Sequence, residues 1–189
     1  AIPLRDGVSR ISGMYLALTK DEVLFLADCS TQVDPTAEQL AETAILSAQV
    51  AEYFDVTPKV AMLSFSNFGS VLHGETEKIR QAVQIARARK PGLCIDGEMQ
   101  ADTALTQERE ESPFPFCELK GKANVLIFPN LSAGLITAQM VKLLGAVELV
   151  GPITLGLSKP LNVLHLSSDV EEVVNATVIT VIECLDGVL

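Results

Sequence analysis

Four short apolar runs recur along this 189-residue chain, at residues 23–27 (VLFLA), 60–65 (VAMLSF), 93–96 (LCID) and 125–128 (VLIF), each bounded by polar, Gly or Pro residues. Runs of this length and setting predict buried strands. Between them the apolar residues recur at helical spacing. After Asp34 and Pro35 they fall at Ala37, Leu40, Ala41, Ala44, Ile45, Ala48 and Ala51, predicting a helix with a capping Asp and Pro at its first position. A second helix is expected over about residues 75–88, with acids early and Arg late as the helix dipole favours, and a third over 132–144, stopped by Gly145. Alternating strands and helices predict an α/β fold, a three-layer sandwich with a parallel sheet, right-handed crossovers and helices on both faces. A last helix, about residues 169–185, is apolar almost all round, so it is expected to be buried against another domain or another chain. Residues 102–122 are polar and predict a helical turn followed by a surface loop.

A formal net charge of -10 argues against nucleic acid or an anionic membrane as partner, since both demand clustered Lys and Arg. A small anion remains compatible where a few basic residues converge. The cysteines Cys29, Cys94, Cys117 and Cys184 show no CxxC spacing, which suits a reducing cytoplasm. His73 and His165 lie far apart without a ligand pattern, so no metal is expected. The start, AIPLRDGVSRISG, has neither an initiator Met nor a signal-peptide pattern, and no apolar run reaches membrane-spanning length, so a soluble chain that starts inside a longer protein is expected.

Three segments could carry chemistry. The loop Ser64, Phe65, Ser66, Asn67, Phe68, Gly69, Ser70 follows one strand and precedes a helix, where α/β proteins bind anions; it reads equally as an ordinary polar connection. Asp96, Glu98 and Asp102 could hold a cation, serve acid/base work, or form a solvated turn. Asn130 and Ser132 stand at a helix start, where capping accounts for them. Cys29, ending VLFLADC, is the cysteine best placed to face a cleft, against the default of a buried thiol. Neither His suggests a hydrolase triad, and no P-loop or GxGxxG is present.

Five segments, LFLADCSTQVDPTAEQLAETA, VAMLSFSNFGS, IDGEMQADTAL, ANVLIFPNLSAG and GPITLGLSKPLNVLHLSSDVEEVVN, resemble the successive signatures of the phosphate acetyl/butyryltransferase (phosphotransacetylase) family, in order and roughly in spacing. The resemblance implies a homodimeric two-domain α/β protein, related in fold to isocitrate dehydrogenases, with coenzyme A in the interdomain cleft. Residues 1–13 would then end the family's first domain, 14–156 form the second, and 157–189 supply a strand and helix returning to the first. Active members read Lys-Pro-Val-Asn-Asp-Leu-Ser-Arg-Gly in the last motif, where the Ser and Arg assist transfer and a later acid takes the thiol proton. Here Val163, His165 and Leu166 replace the Asp, Ser and Arg, and the later acid remains as Glu172. These departures are similar to the domains fused behind bacterial NADP-dependent malic enzymes. On that likeness the chain would be a non-catalytic, dimerising domain that binds acetyl-CoA or a related ester, through Ser64, Ser66, Asn67, Gly69, Ser70, Asn130, Ser132, Lys159 and His165. It would regulate an upstream malic enzyme module carrying NADP and a divalent metal. The alternative is a working phosphate acetyl- or butyryltransferase using Glu172 and Cys29.

Overall fold

A computed structural model describes residues 1–106, 114–119, 121–145, 147–164, 166 and 168–186. In chain order the elements are β1 (Ser12–Leu18), β2 (Val23–Ala27), α1 (Ala37–Tyr53), β3 (Val60–Leu63), α2 (Gly74–Arg89), β4 (Ile95–Met99), α3 (Ala101–Leu105), β5 (Val125–Ile127), α4 (Leu131–Leu143), β6 (Glu148–Leu155) and α5 (Val170–Asp186). The six strands form one sheet in the order β4-β3-β5-β2-β1-β6.

The apolar runs are continuous because both faces of the sheet are covered. Along β2, β3 and β5, Phe25, Ala27, Val60, Met62, Val125 and Ile127 join one core with α1 and α2, while Leu26, Ala61, Leu63 and Leu126 join another with α3 and α4. Period-two alternation thus splits each strand between two layers, which is the expected sandwich.

The expectation of an all-parallel sheet is corrected at β1. Its pairings with β2 and β6 are antiparallel, while β2–β5, β5–β3 and β3–β4 are parallel. Only residues 19–22 separate β1 from β2, too little chain for a parallel crossover, so a hairpin is forced. Thr19 closes it, its N–H donating to the Glu22 carbonyl at 2.9 Å and its hydroxyl accepting from the Glu22 N–H at 3.0 Å. β6 carries Pro152, and as the outermost strand it needs no outward ladder donor there.

The helix starts also differ in detail. Thr36, not Asp34, caps α1, in a reciprocal box with Gln39 that satisfies two otherwise orphaned backbone donors. β4 begins two residues later than expected and runs on through Glu98, so Asp96 and Glu98 lie inside a strand and not in a solvated turn. Of the loop expected over residues 102–122, positions 107–113 and 120 lie outside the described residues.

α4 crosses the end of β2 at Gly134, where a Cβ would meet the Asp28 carbonyl oxygen at 2.3 Å and Cys29 Cα at 3.1 Å. Gly→Ala in an open helix stabilises by about 1 kcal/mol. Here the overlap is with backbone, so the sign reverses. Gly134→Ala is expected to destabilise by about 1–3 kcal/mol, the usual effect of overpacking; a denaturant midpoint at or above that of the parent chain would refute the close approach.

α5 packs along β6 and buries Ile179 and Glu183. Glu183 receives a hydrogen bond from Asn162 Nδ2 at 3.0 Å, and burial pushes its carboxyl above the usual range. Much of α5, including Val170, Val174, Val181 and Leu185, is exposed in this chain. No helix among the described residues is long and apolar enough to cross a membrane.

Candidate functional site

The four strands β4, β3, β5 and β2 run in one direction, so the loops that follow β3, β5 and β2 meet at one edge, as the sequence implies. After β3, Phe68 (φ 46°) and Gly69 (φ 87°) both take left-handed backbone and turn the Gly69 N–H inward. There it meets a carboxylate of the chain itself. Fully buried Glu98 accepts from Gly69 N–H at 2.6 Å and from Ser66 Oγ at 2.9 Å, and Arg80 lies 3.3 Å from both of its oxygens. Ser66 Oγ also lies 3.1 Å from Ser70 Oγ and accepts from Val71 N–H, while Asn67 exchanges hydrogen bonds with Gln100 at 2.8 and 2.9 Å. Ser64 N–H donates to the Met99 carbonyl. The anion held by this loop is Glu98.

Asn130 caps α4, its side chain accepting from Ala133 N–H at 3.0 Å, and Ser132 is exposed beside it. Lys159 is exposed beyond β6. Asp96 accepts from Arg87 at 3.1 Å and from Glu118 N–H at 2.7 Å. Among the described residues no group of three His, Cys, Asp or Glu is arranged to hold a metal ion.

Cys29 is the default buried thiol and faces no solvent. The chain turns back around the Asp28 carboxylate, which accepts from the N–H groups of Ser30, Thr31 and Gln32, and Gly134 seals the other side. Burial, with the Asp28 charge adding, pushes its thiol far above the usual range. Cys184 is exposed on α5. A thiol reagent at neutral pH is therefore expected to modify Cys184 in the folded chain and Cys29 only after unfolding; labelling read by peptide mass, with Cys29 modified first, would contradict this burial.

A cleft of about 290 Å³ is lined by residues outside the loops after β3, β5 and β2. Tyr15 and Leu149 form its floor, Leu135, Gln139 and Lys142 of α4 one wall, and Val163, Leu164, Ser168 and Glu172 the other. Of the sequence candidates, Val163 and Glu172 come together here; the loop Ser64 to Ser70, Asn130, Ser132 and Lys159 do not line it. Leu166 is fully exposed, and His165 lies outside the described residues. Lys142 is the only cation among the described lining residues, and it forms an ion pair with Glu172. Glu172 also accepts from Asp169 N–H at 3.2 Å, while Asp169 accepts from Glu172 N–H at 2.9 Å, a reciprocal cap on α5. The hydrogen bond from Lys142 holds the Glu172 carboxyl below the usual range, with Ser168 and Asp169 assisting against partial burial. Burial, with the nearby Glu172 charge adding, raises Tyr15, so its phenol stays a neutral donor.

Sequence reasoning missed Lys142, Gln139 and Tyr15. Gln139 and Lys142 are three apart, hence on one face of α4, the one signal that was readable.

The profile of the phosphate acetyl/butaryl transferase family matches residues 1–181. The chain belongs to that family. It is 42% identical over 184 residues to the phosphate acetyltransferase of Bacillus subtilis (strain 168), covering 97% of this chain and 57% of that protein. It is 39% identical over 180 residues to the NADP-dependent malic enzyme of Salmonella typhimurium (strain LT2), covering 95% of this chain and 24% of that one. The crystal structure of a phosphotransacetylase from Streptococcus pyogenes superposes with a TM-score of 0.91 at 38% identity, over 98% of this chain and 57% of the other. The chain thus spans little more than half of these transferases and about a quarter of the malic enzyme.

Proposed function

We propose that the chain keeps a site for a coenzyme A ester in the cleft between α4 and α5 and has lost acyl transfer. The observation that carries this is the state of the cleft's charges. Its one described cation, Lys142, is engaged by Glu172, and Val163 and Leu166 stand where the family resemblance expects a carboxylate and a guanidinium. An isobutyl group cannot stabilise charge developing on a transferring acyl or phosphoryl oxygen, and one lost donor lowers a rate by about 10²–10³. The mainly apolar walls suit an acyl and thioester end, with Tyr15, Gln139 and Lys142 as polar anchors.

On this reading the chain is the dimerising, acetyl-CoA-responsive part of a cytoplasmic malic enzyme whose NADP, metal and malate sites lie in an upstream module. The hydrogen bond from Ser158 N–H to the Pro3 carbonyl and the bridge between Leu4 and Leu157 support grouping residues 1–13 with 157–189. The exposed apolar face of α5 supports a partner surface.

A second reading is a working phosphate acetyl- or butyryltransferase. On the comparisons alone it is the better supported, since the chain spans 57% of the Bacillus and Streptococcus relatives against 24% of the malic enzyme. The two readings separate in one titration and one assay: acetyl-CoA binding to the complete protein, and acetyl-CoA formation from acetyl phosphate and coenzyme A. Binding without formation supports the first, both together the second, and neither sinks the ligand assignment.

A further inference from the structure

Resting on that cleft assignment, we propose that Lys142 is the cleft's anion-anchoring residue and that Glu172 is its built-in counter-ion, so that a phosphate or carboxylate group enters by exchanging with the Glu172 carboxylate.

Three observations converge. Lys142 is the only described cation on the cleft wall, in a chain of net charge -10, so any anion bound there must meet it or meet repulsion. Lys142 reaches across from the last turn of α4 to the first turn of α5, closing the cleft with a bond between its two walls. Glu172, in turn, does not depend on Lys142. Its Oε2 accepts from Asp169 N–H at 3.2 Å, and it sits at the start of α5, where the helix dipole favours negative charge. Releasing Lys142 therefore leaves Glu172 held by the Asp169 N–H at the helix start.

The exchange is also energetically light. Lys142 is 58% exposed and Glu172 26%, and a pair this accessible is weak, so an incoming dianion with several acceptor oxygens can replace one carboxylate oxygen. Gln139, one turn earlier on the same face, and the neutral phenol of Tyr15 stand ready as further donors. The ion pair keeps the cleft shut to weak ligands and yields to strong anions.

The test is titration of this chain with inorganic phosphate, and separately with acetyl-CoA, comparing wild type, Lys142→Gln, Lys142→Arg and Glu172→Gln. Removing the internal competitor by Glu172→Gln is expected to tighten phosphate binding roughly two- to fivefold, the scale of an exposed ion pair. Lys142→Gln is expected to weaken it about five- to tenfold, the lower end for a charged hydrogen bond, and Lys142→Arg to restore it. Phosphate binding unchanged in Lys142→Gln, weakened in Glu172→Gln, or absent from all four proteins overturns the exchange. Acetyl-CoA bound by the wild type but indifferent to Lys142 also removes this inference and leaves the ester site standing. Phosphate behaving as expected with no acetyl-CoA bound keeps the anchor and refutes the ester site.

Discussion

Glu98→Ala is expected to unfold this chain at a distinctly lower temperature, with a loss of about 3 kcal/mol. The carboxylate is fully buried and gathers the Gly69 N–H and the Ser66 hydroxyl from the loop after β3 and the Arg80 guanidinium from α2. Its removal strands an inward-turned amide, worth about 1–3 kcal/mol when unpaired, while the Ser66 hydroxyl keeps Ser70 and the Val71 N–H. Breaking a fully buried ion pair typically costs about 3–5 kcal/mol. The lower figure applies because Arg80 is 26% exposed and keeps Glu77 at 2.7 Å. For a chain of this size about 2–4 °C of melting temperature accompanies each kcal/mol, so a fall of roughly 6–12 °C is expected. Glu98→Gln, which retains acceptors for Ser66 and Gly69, should fall between. A melting curve for Glu98→Ala indistinguishable from the parent would show that the knot of residues 64–71 contributes nothing to the fold.

The second large effect is on chemistry. Neither this chain nor the complete protein is expected to form acetyl-CoA from acetyl phosphate and coenzyme A at an ordinary enzymatic turnover of about one per second or more. His165 and Leu166 stand where the family's last motif has the Ser and Arg that assist transfer, and Leu166 projects into solvent. Each missing charge-stabilising donor removes about 10²–10³ in rate, and two such losses bring catalysis close to background. Thiol consumption followed in the complete protein decides it. A turnover of that size would establish the working transferase, with Lys142 in the role assigned here to the absent guanidinium.

The parts of the fold that were legible in the sequence are those whose apolar runs are covered on both sides. VLFLA, VAML and VLI are continuous because each face meets helices, and continuity is easily seen. β1 and β6 were not anticipated as strands. SGMYLAL is broken by Gly and Tyr, and ELVGPITL carries a Gly-Pro pair that only an outermost strand tolerates. The site was less legible for a different reason. The hydroxyls and the glycine in SFSNFGS signal an anion, but sequence has no means of saying that the anion is a carboxylate 29 residues beyond Gly69 and 32 beyond Ser66. Lys142 was invisible because its partner Glu172 is 30 positions away on another helix. What brings them together is the packing of α4 and α5 about β6, a tertiary fact.

β1 has one consequence for how the chain tolerates cutting. Among the described residues it is the only strand that β6 pairs with, and its partner Leu155 lies far along the chain from Ser12. A product ending before residue 148 would leave β1 as an open edge: SGMYLAL, four of its seven residues being Met, Tyr or Leu, with a full row of unmatched amides and carbonyls. Proteins normally blunt such rims with charge, proline or a bulge. Here the blunting is supplied by β6 itself, with Gly151 and Pro152 in mid-strand, so the stretch from residue 148 onward serves as the guard that keeps the sheet from recruiting other copies into fibres.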